Sequence, residues 1–362
     1  MTVSRADLSH IAAIYGGAFV SGLIADRIGM PLPWMIGALL FAMAVRLAER
    51  PVRVPARTRP LGQMLVASSV GLAFTPDAVN AVAALLGPML AATALTLVAG
   101  FAAAALVMRL ARVDALTATL ASVPMGPVES ANLAIRHGVA PGPVVFAQTL
   151  RIVLLVLFVP PALVWLDGSV SDPMAALRDV AWTPGGAVLL LVCAAAGGLA
   201  ARAIGVSNPN FVGPLAGSAG AAALTLPITA YPYPVLAMAQ LFLGVWLGAA
   251  FDRELIRRAG GFLAAAFAST LVLVGSCLAM GAGLAWATGL ALPVMILATA
   301  PGSVTEMALT AKILQQGVAV VTAFHLVRIF IILPSAPLIA GLTARAARRW
   351  RIGPGFEGDG RP

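Results

Sequence analysis

Two glutamate–arginine pairs set in apolar sequence are the residues of this chain best placed to do chemistry. Glu129 stands five residues after Pro124 and twenty-two before Arg151, and Glu306 stands five after Pro301 and twenty-two before Arg328. The two sets lie 177 residues apart at all three positions. Each glutamate follows a helix-breaking run: Pro124, Met125, Gly126 and Pro127 in the first copy, Pro301, Gly302 and Ser303 in the second. Such breaks free backbone groups, which lipid tolerates only where protein or a wet cavity covers them. The helix restarting beyond each break aims unpaired N–H groups and a positive dipole end at the gap, a setting that favours an anion.

Glu129 and Glu306 fall in that first turn, as helix caps or as ligands for an ion or proton. Arg151 and Arg328 lie eight or more residues inside the last apolar run of each copy, too deep to be interface anchors. A charge there faces the bundle interior and is paired. The glutamates are the expected partners. The pair is either a static lock or leaves the arginine to grip a carboxylate or phosphate with two N–H groups. Thr305, Ser130, Asn132 and Thr310 add polar groups, Gln63 and Gln240 recur as cavity liners, and Gln148 and His325 each precede an arginine by three residues.

The elements that carry these residues are apolar. The chain has 362 residues, 60% hydrophobic and 10% charged, with a mean hydropathy of +0.96; soluble domains carry roughly 25% charge. Apolar runs at 11–25, 33–48, 61–75, 81–108, 143–166, 185–201, 210–224, 235–251, 261–288 and 317–342 predict a polytopic membrane protein. The first run passes straight into Asp26 and Arg27 with another run behind it, so it reads as a retained helix rather than a cleaved signal. Of the 23 basic residues, 22 are arginine, clustered beside the apolar runs as membrane topology requires rather than along a nucleic-acid face. Cys193 and Cys277 read as small apolar core residues, and Gly213/Gly217 with Gly244/Gly248 as helix-packing spacings. Three scattered histidines, His10, His137 and His325, make no metal site, and neither catalytic residues nor cofactors are expected.

The duplication extends beyond the charged pairs. Gln63, Gly71 and Phe74 match Gln240, Gly248 and Phe251, while Gly22, Ile28, Pro33 and Gly37 match Gly198, Ile204, Pro209 and Gly213 one residue earlier in offset. The division expected is 10–170 for the first membrane repeat, 171–184 for a linker, 185–345 for the second repeat and 346–362 for a cytoplasmic tail. Loop charges alternate between the halves. Arg46, Arg50, Arg53, Arg57 and Arg59 face an uncharged counterpart near 225–234, whereas Thr75–Asn80, with Asp77 alone, faces Arg253, Arg257 and Arg258 beside Asp252 and Glu254. Arg109 and Arg112 face an uncharged stretch, and the acidic linker (Asp167, Asp172, Asp179) faces Arg345, Arg348, Arg349 and Arg351. By the positive-inside rule the halves insert in opposite senses.

Opposite insertion needs an odd number of crossings per half. The expected fold is therefore all-α and polytopic: two inverted repeats of about five transmembrane helices, each with a Pro/Gly-broken re-entrant hairpin, at 114–137 and 291–315. A ten-residue arm reaches about 15 Å, near the bilayer midplane. A broken but spanning helix is the alternative. Inverted repeats are a recurrent plan of secondary transporters, and a midplane site between them for a small, anionic solute is the function this plan suggests. The expected setting is an inner membrane with both termini cytoplasmic. The expected partners are the lipid bilayer, the small-molecule or ion substrate and a homodimer mate, with no direct nucleic acid.

The segment from Pro301 to Met307, its degraded copy from Pro124 to Ser130, the Gln/His-x-x-Arg that follows each, and the Pro-x-x-x-Gly elements at Pro33 and Pro209 resemble the bacterial AbrB-type membrane duplication family over about 10–342. The first copy departs from the pattern in having Met125 and Pro127 for glycines and Ser130 for methionine. The resemblance implies a membrane protein whose relatives carry the labels ammonia monooxygenase or regulator of gene expression, and a layout similar to cation/anion exchangers. A regulatory role would be indirect, since no segment of the chain reads as a DNA-binding domain. The monooxygenase label lacks the ligands that oxygen chemistry needs.

Overall fold

Local signals set the helix boundaries. Proline occupies the first turn of many helices, where its missing N–H costs nothing. Side-chain caps add to this: the hydroxyl of Thr75 accepts from the Ala78 amide at 3.3 Å, the Asp114 carboxylate from the Thr117 amide at 2.9 Å and Thr183 from the Gly186 amide at 3.2 Å. The computed structural model describes residues 5–167, 175–251 and 253–350. Residues 171–174 of the expected linker with Asp172, Asp252, and residues 351–362 of the tail lie outside them.

Among the described residues the structure is helical throughout, without strands. The first half forms α1 (Arg5–Arg27), α2 (Pro33–Leu47), α3 (Thr58–Gly71), α4 (Pro76–Ala84), α5 (Leu86–Ala111), α6 (Ala115–Ser122), α7 (Pro127–Arg136) and α8 (Pro141–Asp167). After a short turn, α9 (Ala175–Arg178), the same order returns as α10 (Pro184–Ala203), α11 (Pro209–Ala223), α12 (Tyr233–Ala249), α13 (Arg253–Ala259), α14 (Gly261–Thr288), α15 (Leu292–Thr299), α16 (Val304–Ile313) and α17 (Val318–Trp350). Left-handed backbone recurs with it, at Gly29 and Gly205, Leu32 and Asn208, Glu49 and Thr225, Arg112 and Gly289, and Gly138 and Gln315.

All ten apolar runs fall on helices, but among the described residues five helices are long and apolar enough to cross a membrane, namely α5, α8, α10, α14 and α17; α3 with α4, bent by 92°, would make a sixth. The apolar α2 and α12 have 15 and 17 residues. At 1.5 Å per residue they reach about 22–26 Å, short of a ~30 Å hydrocarbon core.

Two compact units each draw on both halves of the sequence. The first comprises Met1–Leu86, Val156–Arg253 and Val304–Ala323. In it α1 packs on α2 and α10 on α11, while α12 packs on α2 and α3 on α11. Glycines bring these backbones together, as is usual where lipid supplies no hydrophobic drive between helices. A Cβ on Gly37 would lie 2.6 Å from the Ser21 carbonyl, and one on Gly213 would lie 2.5 Å from that of Gly197, the equivalent residue. Gly244 and Gly248 press in the same way on the carbonyls of Met35 and Leu39. Trp34 donates to the Tyr233 hydroxyl at 2.6 Å, and the Arg59 guanidinium lies 3.7 Å from the Trp246 ring centroid.

The second unit comprises Gly87–Leu155, Glu254–Ser303 and Phe324–Pro362. Leu116, Leu120, Val123, Met125 and Leu133 pack there with Ile332, Ala336 and Ala340 of α17. Ala103 of α5 packs with Leu273 and Cys277 of α14. Both helix breaks and both deep arginines belong to this unit.

Candidate functional site

A helix that stops inside apolar protein leaves carbonyls without partners, and in this chain the arginines supply them. At the first break, α6 ends at Ser122, and Arg151 of α8 donates Nη1 to the Ser122 carbonyl at 2.9 Å. Its Nη2 is bonded to the Gln148 side-chain oxygen. The Gln148 amide in turn donates to the carbonyls of Leu120 at 2.7 Å and Val123 at 2.8 Å. At the second break, α15 ends at Thr299, and Arg328 of α17 donates to the carbonyls of Ala300 at 2.7 Å and Gly302 at 2.6 Å. It also bonds His325 Nδ1 at 2.7 Å. A guanidinium can only donate, so Nδ1 is the acceptor, and Nε2 carries the proton given to the Leu297 carbonyl at 2.9 Å. Each arginine thus places positive charge against the negative end of a short helix.

These bonds correct the expectation that the arginines pair with the glutamates. The hydrogen bonds of Arg151 and Arg328 run to backbone carbonyls and to Gln148 or His325. The physical reason is that a broken helix end offers several carbonyl acceptors at the depth where each arginine sits. The guanidiniums are nonetheless almost wholly buried, 3% exposed for Arg151 and 5% for Arg328. Glu129 is half-buried near its own helix start, with Oε2 2.6 Å from where a Cβ on Gly126 would stand. Gly126 itself is the cap of α7, at φ 96°, a conformation that suits glycine. Pro124, Gly126, Pro127, Glu129 and Arg151 gather at the first break, and Pro301, Gly302 and Arg328 at the second.

The remaining candidates lie in the first unit. Gln63 and Gln240 flank the crossing of α3 and α12, where a Cβ on Gly62 would lie 3.0 Å from the Ala239 carbonyl. Thr305 and Glu306 are buried on α16, which packs on α3. Neither side-chain amide atom of Gln240 has a hydrogen-bond partner, nor do the hydroxyls of Thr305 and Ser69. Lys312, the only lysine of the chain, donates to the Ser69 carbonyl at 2.7 Å. Reasoning from sequence passed over Lys312, Ser69 and Ser122. The signal for Lys312 was its uniqueness among 23 basic residues.

By length and composition, the long apolar helices suggest a multi-pass membrane protein. Its sequence matches the model of the family described as transition state regulatory protein AbrB over residues 4–344, and the chain belongs to that family. A Bacillus subtilis (strain 168) protein called uncharacterized protein YhjN is 24% identical over 359 residues, covering 91% of each chain.

Proposed function

We propose that this protein is a secondary transporter of a small anionic solute, and not an enzyme. One observation carries the reading: two buried guanidiniums sit at two helix breaks, and the bonds they make go to neutral groups. Burying a charge in a membrane protein is costly, and where it is retained it marks a solute or ion path. Static support of a helix end would need only a neutral donor, as Gln148 demonstrates beside Arg151. The repeated order of eight helices and the paired left-handed residues support a duplicated chain. The alternating loop charges support insertion of its halves in opposite senses, with each break in a re-entrant hairpin and both termini cytoplasmic, in an inner membrane.

The test is uptake by proteoliposomes over a panel of radiolabelled metabolites. The expected result is saturable uptake of one or more anions that Arg151→Lys impairs while the protein stays folded. No flux for any member of the panel would argue against transport. The family description favours a second reading, an indirect part in gene regulation. A deletion strain whose transcript profile is restored equally by wild-type and by flux-deficient protein would support that reading over transport.

A further inference from the structure

The two breaks are built alike but their donors are not equally spent. At the second, the Thr299 hydroxyl donates to the Cys277 carbonyl at 2.9 Å and to the Met295 carbonyl at 2.8 Å. At the first, the equivalent hydroxyl of Ser122 has no partner, and neither does Nε of Arg151. Both residues are 3% exposed, and they are already joined through the Ser122 carbonyl. An orphaned hydroxyl and an orphaned guanidinium N–H, on two residues already in contact and both out of water, cost free energy unless an acceptor serves them.

The same unit supplies an approach. A pocket of about 630 Å³ at the base of α6 is lined by Arg112, Asp114, Thr117, Pro143, Phe146 and Gly260. Thr117 on α6 and Phe146 on α8 line it, and Ser122 and Arg151 stand five residues further along these two helices. Five residues are about 7.5 Å of helix. Along both helices the pocket lining thus stands about one and a half turns from the two orphaned donors, which are themselves closed off in this structure.

We propose that Ser122 Oγ and Arg151 Nε form the seat for a carboxylate at the first break, entered through this pocket. One carboxylate oxygen takes the O–H and the other the N–H, and its charge offsets that of the guanidinium. The second break, its hydroxyl committed to Cys277, is structural. The proposal rests on the transport reading for the role of the seat, though not for its existence.

The experiment uses the full chain in lipid nanodiscs, with sodium lactate as the probe and sodium chloride and inorganic phosphate as controls. The readout is the concentration of each salt that half-saturates a rise in Tm. Lactate is expected to saturate where chloride and phosphate do not. Ser122→Ala, which removes an unpartnered hydroxyl, should leave Tm without ligand unchanged or higher and weaken lactate about tenfold, as loss of one bond to a charged group does. Thr299→Ala should lower Tm without ligand and leave the lactate midpoint unchanged. An unchanged midpoint in Ser122→Ala, an equal shift in Thr299→Ala, or chloride or phosphate acting as well as lactate would overturn the seat. Lactate uptake by proteoliposomes separates the two ideas: binding without flux removes transport and keeps the seat, while flux whose KM ignores Ser122→Ala keeps transport and removes the seat.

Discussion

The two helix breaks have the same parts in the same order, yet the second is tied down at more points than the first. Arg328 holds two carbonyls where Arg151 holds one, and Gln148 holds two where His325 holds one, so that each pair holds three. Thr299 is bonded where Ser122 is not. Beyond the breaks, α16 is buried along almost its whole length, whereas α7 exposes Val128 and Ile135 and leaves Glu129 half-buried. A duplicated element can divide its work in this way. One copy spends its polar groups on the scaffold, and the other leaves two of them unspent.

The largest effects should come from the arginines and should differ between breaks. Arg328→Ala orphans the Ala300 and Gly302 carbonyls and deprives His325 Nδ1 of its donor. At 1–3 kcal/mol for each buried group left unsatisfied, it should cost roughly 3–5 kcal/mol or prevent folding. Arg151→Ala orphans the Ser122 carbonyl and frees Gln148, so it should cost about 1–3 kcal/mol less. Thermal unfolding of both variants in nanodiscs checks the order, and equal losses would break the comparison. Exchanging the residues three positions before the arginines sharpens it. Gln148→His gives up one of the two carbonyls that the amide bridges and should cost about 1–2 kcal/mol. His325→Gln can still reach Leu297 and should cost less than about 1 kcal/mol.

What the sequence disclosed, and what it withheld, follows the same division. The breaks, the depth of the arginines and the doubled helix order were legible, because proline, glycine and charge are conspicuous in apolar sequence. The arginines' acceptors were not. Every residue has a carbonyl, so nothing in the letters marks the few that a broken helix leaves open, whereas a glutamate at a repeated spacing invites pairing. The glycine spacings at Gly244/Gly248 signalled close packing but could not say against which helix, and the answer, α2 of the other half, needed coordinates. Ser122 was within reach, since the 177-residue offset sets it opposite Thr299. Only the Cys277 carbonyl, however, distinguishes a spent hydroxyl from a spare one.

A smaller effect is expected at the glycines of the breaks. Gly126 stands at φ 96° and Gly302 is not among the left-handed residues. Alanine at 126 would bear the strain of that backbone and press on the Glu129 carboxylate, 2.6 Å from the new Cβ. Gly126→Ala should cost about 1–2 kcal/mol and more than Gly302→Ala does. The reverse order would mean that the first break is the more relaxed of the two.

The smallest effect should be that of Glu129. Its carboxylate lies in the first turn of α7, where a negative charge gains from the helix dipole, but it is half-buried and water screens the interaction. Glu129→Gln keeps the shape and removes the charge, so it should cost no more than about 0.5–1 kcal/mol. Glu306 occupies the equivalent turn of α16 but is only 5% exposed, so Glu306→Gln changes a charge far from water and should move stability by more, in either direction. Comparing the two Tm shifts at neutral pH asks whether the acids divide as the arginines and hydroxyls do. Equal shifts would mean that the buried charge of Glu306 matters no more to stability than the half-buried one of Glu129, and the contrast between the breaks would stop at the carbonyl caps.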